Sequence, residues 1–193
     1  MGLSMGLWMD PCAKMRAMPE AQIDSRAFRD VCSRFVTGVA VVTSFGPEGP
    51  SGMTANAVTS LSLEPPLMIV CFDRTARTLE AVEHSRRLAI QFLSHDQEAV
   101  AGRFASKLPE AEKFEGLDWS DRGGVPALGG ALAGMACELR EVVAGGDHLI
   151  AVAEVVDLWL SDGDPLVFFE GDYWKLTERE PAPPEVDEAL EGP

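Results

Sequence analysis

The chain has 193 residues, of which 46% are hydrophobic and 24% charged, and its formal net charge at pH 7 is −15. This length suits one domain with a sizeable core. The acidic balance argues against a surface adapted to nucleic acid or anionic lipid, and no apolar run approaches the roughly 20 residues of a membrane span. We therefore expect a soluble protein with neither nucleic acid nor a membrane as its partner.

The two ends of the chain differ in composition from its centre. Residues 1–22 show no clear periodicity and predict a flexible leader, in which Met15 or Met18 is an alternative start. No secretory signal is present, which favours a cytoplasmic location. Residues 178–193 are acidic and rich in proline and predict a solvated tail. A single domain over residues 23–177 remains.

The domain is predicted to open with a helix. Asp24 or Ser25 supplies an N-cap ahead of apolar residues at helical spacing. The spacing predicts that this helix lies on the core. The apolar positions are Phe28, Val31, Cys32 and Phe35.

A segment of small and hydroxyl-bearing residues, Gly52–Pro66, follows a predicted strand over Gly38–Phe45 and a turn over Gly46–Pro50. Two interpretations are open: a ledge for a flat ligand with polar edges, or an ordinary edge strand and turn. If the segment is extended, one face carries several polar side chains. These are Thr54, Asn56, Ser60 and Ser62.

A buried strand over Leu67–Phe72 leads into a predicted helix over Asp73–His84. The junction Asp73–Thr78 has the character of an anion site, because arginine, threonine and the free N–H groups of a helix start converge there. The alternative is that Asp73 or Thr75 merely caps a surface helix.

The next segments predict a strand over Arg87–Leu93 and, from the capping-box spacing of Ser94–Gln97, a helix that runs through Phe104. Glycines and prolines are frequent over residues 108–130, together with aromatic residues. This composition predicts a long structured loop, and loops of this length usually cover or shape a site.

Two long β-like runs, Leu132–Val143 and Leu149–Leu160, predict a hairpin whose turn is Ala144–His148. Pro165–Phe169 and Tyr173–Leu176 supply a last strand or two. Many short strands and only two or three helices predict a mainly β fold, an antiparallel barrel rather than a parallel sheet.

The residues that usually carry catalysis are sparse. The three histidines do not form a metal-binding pair, and the four cysteines lack CxxC spacing and are predicted to be buried. No GxSxG, GxGxxG or P-loop motif is present. His148 stands in the predicted hairpin turn, where a side chain reaches solvent and substrate; the alternative is a turn histidine without a role.

Five segments nevertheless occur in an informative order: Phe35–Thr43, Gly52–Ala57 with Ser60 and Ser62, Cys71–Thr78, Arg103–Ala105 and Gly146–His148. In this order they resemble the short-chain flavin reductases, the reductase components of two-component flavin-dependent monooxygenases. The resemblance covers roughly residues 24–177.

The resemblance implies a homodimeric, flavin-binding split β-barrel with Greek-key topology, flanked by two or three helices. It implies transfer of hydride from NADH or NADPH to FMN or FAD and release of the reduced flavin to a partner monooxygenase. Because the two cofactors supply that chemistry, no metal, acid, base or nucleophile is required. The alternatives are a flavin-binding or electron-carrier protein without catalysis, and an interaction module that has lost the site.

The resemblance also implies roles for individual residues. The isoalloxazine edge would meet Thr54, Ala55 and Asn56, and the ribityl chain or phosphate would lie near Ser60 and Ser62. The flavin phosphate would be held at the helix start, where the cofactor-binding residues are Asp73, Arg74, Thr75 and Thr78. The flavin pocket would be lined by Phe104. The nicotinamide nucleotide would meet the catalytic His148, in a turn shaped by Gly146 and Asp147.

Two departures from the family pattern concern the nicotinamide pocket. Ala153 stands where many relatives carry glycine, and Phe168–Tyr173 places acids beside positions that are often aromatic or basic. Two acids near a 2′-phosphate disfavour NADPH, so NADH is the predicted donor.

Overall fold

Strands form most of the regular structure in residues 23–176, the part of the chain that this computed structural model describes. The predicted leader and tail lie outside it. The strands are β1 (Thr37–Gly38), β2 (Ala40–Gly46), β3 (Gly49–Ala55), β4 (Val58–Leu63), β5 (Pro66–Asp73), β6 (Arg87–Phe92), β7 (Trp119–Asp121), β8 (Pro126–Leu128), β9 (Ala133–Gly145), β10 (His148–Leu160), β11 (Leu166–Phe169) and β12 (Asp172–Lys175). The helices are α1 (Ser25–Cys32), α2 (Arg77–Ser85), α3 (Glu98–Ala105) and α4 (Glu110–Phe114).

The main sheet has seven strands in the order β3-β2-β6-β9-β10-β5-β4, and its pairings are antiparallel. A second sheet pairs β11 with β1 and β12. The mainly β, antiparallel prediction is therefore confirmed. The described residues contain four helices rather than two or three, because the predicted loop after α3 includes the five-residue α4. None of these helices is long and apolar enough to cross a membrane.

The first half of strand β2 lies between two hydrophobic clusters, which explains the apolar run Ala40–Val42. Ala40 and Val42 belong to one cluster and Val41 to the other, and all three are buried. Helix α2 packs on β2 and β3, while α3 and α4 pack on β3. These three helices therefore enclose the space on one side of β3.

Helix α1 begins as predicted but does not pack as predicted. The Asp24 carboxylate accepts hydrogen bonds from the backbone N–H groups of Arg26 and Ala27 at 3.3 and 3.2 Å. No residue of α1 is buried, and Phe28 and Val31 are 59% and 72% exposed. The prediction that this helix lies on the core is wrong for the single chain, because its apolar residues find no partner within residues 23–176.

The three cysteines within residues 23–176 differ in burial, and Cys12 lies outside the described residues. Cys137 is buried on β9, and desolvation raises the pKa of its thiol to about 12. Cys71 on β5 is partly buried. Cys32 is exposed, which contradicts the prediction that the cysteines are buried and follows from its place on the unpacked helix α1.

The two long β-like runs form the predicted hairpin of β9 and β10, with Gly146 at a φ of 74° in the turn. A positive φ favours glycine there. The loop after α3 is structured, as predicted: Phe114 of α4 makes an edge-to-face contact with Phe104, with ring centroids 5.0 Å apart. Trp119 of β7 packs against Phe114 in turn, at 5.6 Å.

Candidate functional site

A cavity of about 280 Å³ lies between β3, the start of α2, the end of α3 and helix α4. It brings together four residues that were singled out from separate sequence segments, and we call it the β3–α2 cavity. Cationic and anionic side chains that sequence reasoning missed also line it: Arg77, Lys107, Glu110 and Lys113. The four expected residues are Thr54, Thr75, Thr78 and Phe104.

The aromatic wall of this cavity depends on a glycine. A Cβ atom on Gly52 of β3 would lie 2.6 Å from Cε1 and 2.8 Å from Cδ1 of Phe104. Both ring atoms belong to a side chain that is 1% exposed, so it has little room to move. Glycine at position 52 therefore allows the Phe104 ring to lie against the β3 backbone.

The hydroxyls of Thr54 and Thr78 link the elements around the cavity to each other. The Thr54 hydroxyl donates to the carbonyl of Ala101 at 2.6 Å, which links β3 to α3. The Thr78 hydroxyl is buried and lies 3.2 Å from the Ser51 hydroxyl, which links α2 to β3. These bonds fix the elements that surround the cavity.

An ionic network connects the cavity's charged residues. Glu110 Oε1 lies 3.0 Å from Arg77 Nη2 and 3.2 Å from Lys113 Nζ, without hydrogen-bond geometry in either contact. Lys113 is 4% exposed and donates to the carbonyl of Gly52 at 2.9 Å. The only sequence signal for this network was the i, i+3 spacing of Glu110 and Lys113, which is common on solvated helices.

The junction between β5 and α2 contradicts one of the two sequence interpretations, the one in which Asp73 or Thr75 caps the helix. Asp73 Oδ1 accepts hydrogen bonds from the Thr75 backbone N–H and hydroxyl at 2.7 and 2.6 Å, and these bonds hold the pKa of Asp73 below its usual range. The N-cap is Ala76, which makes no side-chain capping bond, so neither Asp73 nor Thr75 caps the helix. The first-turn N–H groups of α2 are left free of a capping side chain.

Arg74 points to a different part of the molecule. Its Nε donates to the carbonyl of Gly146 at 2.9 Å, and the side chain does not line the β3–α2 cavity. The structure thus places Arg74 at the turn between β9 and β10, apart from Thr75 and Thr78.

The Gly146–His148 turn is exposed and internally paired. Asp147 Oδ1 accepts a hydrogen bond from His148 Nδ1 at 2.8 Å, and this bond is the main reason that the pKa of Asp147 is lowered. The side chains of His148 and Asp147 are 46% and 93% exposed. His148 stands opposite Asp73 in the pairing of β10 with β5, so the turn adjoins the β5–α2 junction.

A second cavity, of about 260 Å³, contains Ala55 and Asn56 and is lined on its other side by Thr37 and Phe35. We call it the Thr37 cavity. The hydroxyl oxygen of Thr37 is buried and has no hydrogen-bond partner. A buried polar group is normally satisfied, so an orphaned hydroxyl in a cavity is a position for a ligand contact. Thr37 belongs to the segment Phe35–Thr43, and the resemblance implied no role for it.

The segment Gly52–Pro66 is not one extended ledge. Its first part belongs to β3, which ends at Ala55, and its second part forms β4. These two strands lie at opposite ends of the strand order of the main sheet. Ser60 and Ser62 therefore lie on β4, on either side of a register shift, and line neither cavity. A period-2 argument across the whole segment failed because the chain bends at Asn56.

A larger cavity, of about 550 Å³, lies between the β2–β3 turn and the start of α2. It shares Arg77 and Glu110 with the β3–α2 cavity, and no residue singled out from the sequence lines it. Its size alone assigns it no chemistry.

The cavities combine an unpartnered threonine hydroxyl, cationic side chains, a helix start without a capping side chain and an aromatic wall, and this set of groups suits a phosphorylated ligand with a flat ring, such as a nucleotide. Residues 32–177 match the family described as "Flavin reductase like domain". The chain belongs to this flavin reductase family.

Relatives and solved structures agree with that assignment. The chain is 36% identical over 175 residues to the flavin-dependent monooxygenase reductase subunit HsaB of Mycobacterium tuberculosis, covering 89% of this chain and 92% of that protein. It is 38% identical over 157 residues to the FMN reductase (NADH) SmoA of Agrobacterium fabrum, covering 81% and 88%. The NADH:FAD oxidoreductase SgcE6 of Streptomyces globisporus, solved with NAD and FAD fragments, is 32% identical with a TM-score of 0.75, covering 80% and 93%.

Proposed function

We propose that this protein transfers hydride from NADH to FMN or FAD and supplies the reduced flavin to a partner monooxygenase. The single observation that carries the proposal is the β3–α2 cavity, which groups Thr54, Thr75, Thr78 and Phe104 from three separate segments. The reductase subunits and NADH-dependent FMN reductases among its relatives support the same activity.

The β3–α2 cavity fits the phosphate side of a flavin nucleotide. The N–H groups at the start of α2 have no capping side chain, and a helix start of this kind suits an anion. Arg77 and Lys113 supply positive charge. We assign the phosphate contact to Arg77 rather than Arg74, because Arg77 lines the cavity while Arg74 hydrogen-bonds the hairpin turn.

The Thr37 cavity fits the polar edge of the flavin ring. Asn56 carries both a donor and an acceptor, and the unpartnered Thr37 hydroxyl offers one more. Ala55 is small enough to let a flat ring approach the backbone. Ser60 and Ser62 lie on β4 outside both cavities, and their contact with the ribityl chain or phosphate stays a prediction.

The nicotinamide nucleotide is assigned to the exposed Gly146–His148 turn. When bound, flavin accepts the hydride, so the chain's own residues orient the two nucleotides and supply no acid, base or nucleophile. The Asp147 carboxylate holds the proton of His148 on Nδ1, because a carboxylate can only accept. This leaves Nε2 of the half-exposed ring to face a visiting ligand.

We further propose that a second copy of the chain covers helix α1. The helix has a capped start and apolar residues at helical spacing, yet Phe28 and Val31 are largely exposed. A homodimer would bury them. Sedimentation of the wild type should give a dimer, and Phe28→Glu with Val31→Glu should give a folded monomer, while a monomeric wild type contradicts the proposal.

Activity is tested by mixing purified protein with NADH and measuring absorbance at the nicotinamide band. Oxidation should begin only when FMN or FAD is added, and a partner oxygenase should then turn over in the same cuvette. An absence of flavin-dependent oxidation with both NADH and NADPH would contradict the proposal. A flavin-loaded yellow protein that does not respond to either nicotinamide would instead favour the electron-carrier alternative.

A further inference from the structure

We propose that Glu110 is a positioning residue that competes with the flavin phosphate for Arg77 and Lys113, and so keeps the flavin nucleotide exchangeable. This inference rests on the proposed function. It concerns a carboxylate that lines the β3–α2 cavity together with the two cations.

The two carboxylate oxygens of Glu110 make different contacts. Oε2 accepts hydrogen bonds from the Gly52 backbone N–H at 2.8 Å and from the Ser51 hydroxyl at 2.9 Å, which joins α4 to β3. Oε1 makes the ionic contacts to Arg77 and Lys113, at 3.0 and 3.2 Å. One oxygen therefore anchors the helix, and the other holds the cavity's cations.

Lys113 explains why the cavity needs the negative charge of Glu110. Its side chain is 5% exposed, and a buried cation needs a counter-charge. Without ligand, Glu110 provides that charge. When a phosphate enters the same cavity, the cations gain a second anionic partner, and the carboxylate and the phosphate repel each other across a weakly screened space.

This competition suits a protein whose product must leave. The cations alone would bind a phosphorylated ligand tightly, because charge-assisted hydrogen bonds are strong. A carboxylate already paired with them lowers that affinity without removing the cations. Glu110 thus distinguishes a cavity that exchanges its nucleotide from one that retains it.

The test is Glu110→Gln, which keeps an amide oxygen for Gly52 and Ser51 and removes the charge. The dissociation constant for FMN, from flavin fluorescence, should fall by about tenfold, the effect of one charged contact. Riboflavin, which has the ring but no phosphate, should bind within about twofold of the wild type. The matched control is Glu112→Gln, an exposed carboxylate on the same helix, which should change neither constant.

Two further readouts separate this role from a structural one. The rise in Tm that FMN causes should be larger in Glu110→Gln than in the wild type at the same FMN concentration, since stabilisation by a ligand grows with the logarithm of its concentration divided by its dissociation constant. Release of FMN, followed by stopped-flow, should be slower. Equal weakening of FMN and riboflavin, or an unchanged FMN constant, would overturn the proposal and leave Glu110 as an anchor of α4.

If Glu110→Gln folds only in the presence of a ligand, the proposal is tested by the yield of folded protein after refolding with FMN or with riboflavin. Recovery with FMN but not with riboflavin supports the proposal, because only the phosphate replaces the missing charge. Recovery with both equally, or with neither, overturns it. A wild type that binds no FMN contradicts the proposed function itself, before any variant is made.

Discussion

The β3–α2 cavity and the Gly146–His148 turn hold their side chains in opposite ways. In the cavity, Phe104, Thr78 and Lys113 are all at most 4% exposed and contact β3 or its neighbours. In the turn, His148 and Asp147 contact each other and remain in solvent. A preorganised buried site suits selective recognition of a phosphorylated flavin, whereas an exposed pair suits a contact with the second nucleotide that needs little burial.

Gly52→Ala should give the largest loss of stability and FMN affinity, and the structural change should be limited to the β3–α2 cavity. The new Cβ would lie 2.6 Å from Phe104 Cε1, so the ring must move out of the wall. Overpacking of this kind costs about 1–3 kcal/mol in free energy of unfolding. Urea unfolding should show that loss, and fluorescence titration should show weaker FMN binding.

The matched control is Gly102→Ala in helix α3. A Cβ there meets no atom within 4 Å, and alanine favours a helix over glycine by about 1 kcal/mol. This variant should be as stable as the wild type or more so, with unchanged FMN affinity. If Gly52→Ala behaves like its control, Phe104 is not confined as described.

Arg77→Ala and Arg74→Ala should separate the two regions by ligand. Arg77 lines the cavity, and its loss should raise the FMN dissociation constant by about tenfold, since its side chain is half-exposed and partly screened. Arg74 hydrogen-bonds Gly146, and its loss should leave FMN affinity within about twofold and raise the NADH KM. Isothermal titration and steady-state kinetics measure both. The reverse pattern would assign the phosphate to Arg74, as the sequence resemblance implied.

His148→Ala should alter the nicotinamide step alone. We expect the NADH KM to rise about fivefold, the equivalent of one lost hydrogen bond, while the FMN dissociation constant stays the same. His84→Ala is the control, because His84 is exposed in the last turn of α2. Equal loss of flavin affinity in His148→Ala would remove the distinction between the two regions.

Much of this architecture was predictable from local patterns. The strand periodicity and glycine-rich turns predicted the hairpin of β9 and β10, and the apolar run of β5 predicted a buried strand. Hydroxyls and a helix start pointed to Thr54, Thr75 and Thr78, and the resemblance to flavin reductases implied Phe104; all four line one cavity. Local patterns succeed where the determining interactions lie within a few residues of each other.

The remaining features depend on contacts between distant segments. No local pattern distinguishes Lys113 from a surface lysine, and it is a buried cation because its helix brings it against the Gly52 carbonyl. Arg74 and Arg77 are equivalent in sequence, and their directions are set by the hairpin turn on one side and Glu110 on the other. The apolar spacing of α1 predicted a face on the core, but Phe28 and Val31 are largely exposed in the single chain.

Asp147→Asn should give the smallest effect, and it tests whether the Asp147 carboxylate acts on the nicotinamide nucleotide only through His148. The hydrogen bond with His148 holds the pKa of Asp147 below its usual range, so its carboxylate stays charged above about pH 4 and loses its contribution only as the pH falls through the lowered value. An asparagine can donate as well as accept and no longer fixes the proton on Nδ1. We expect the NADH KM to rise about twofold, and to the same extent at pH 7 and pH 9. The part of this rise that comes from removing the carboxylate's charge should vanish at about 1 M salt, because Asp147 is exposed and its charge is screened. Asp162→Asn, an exposed carboxylate beyond the end of β10, is the control and should leave KM unchanged. If Asp147→Asn instead matches His148→Ala at every salt concentration, the carboxylate contacts the nicotinamide nucleotide itself, and the turn is a preorganised site like the cavity.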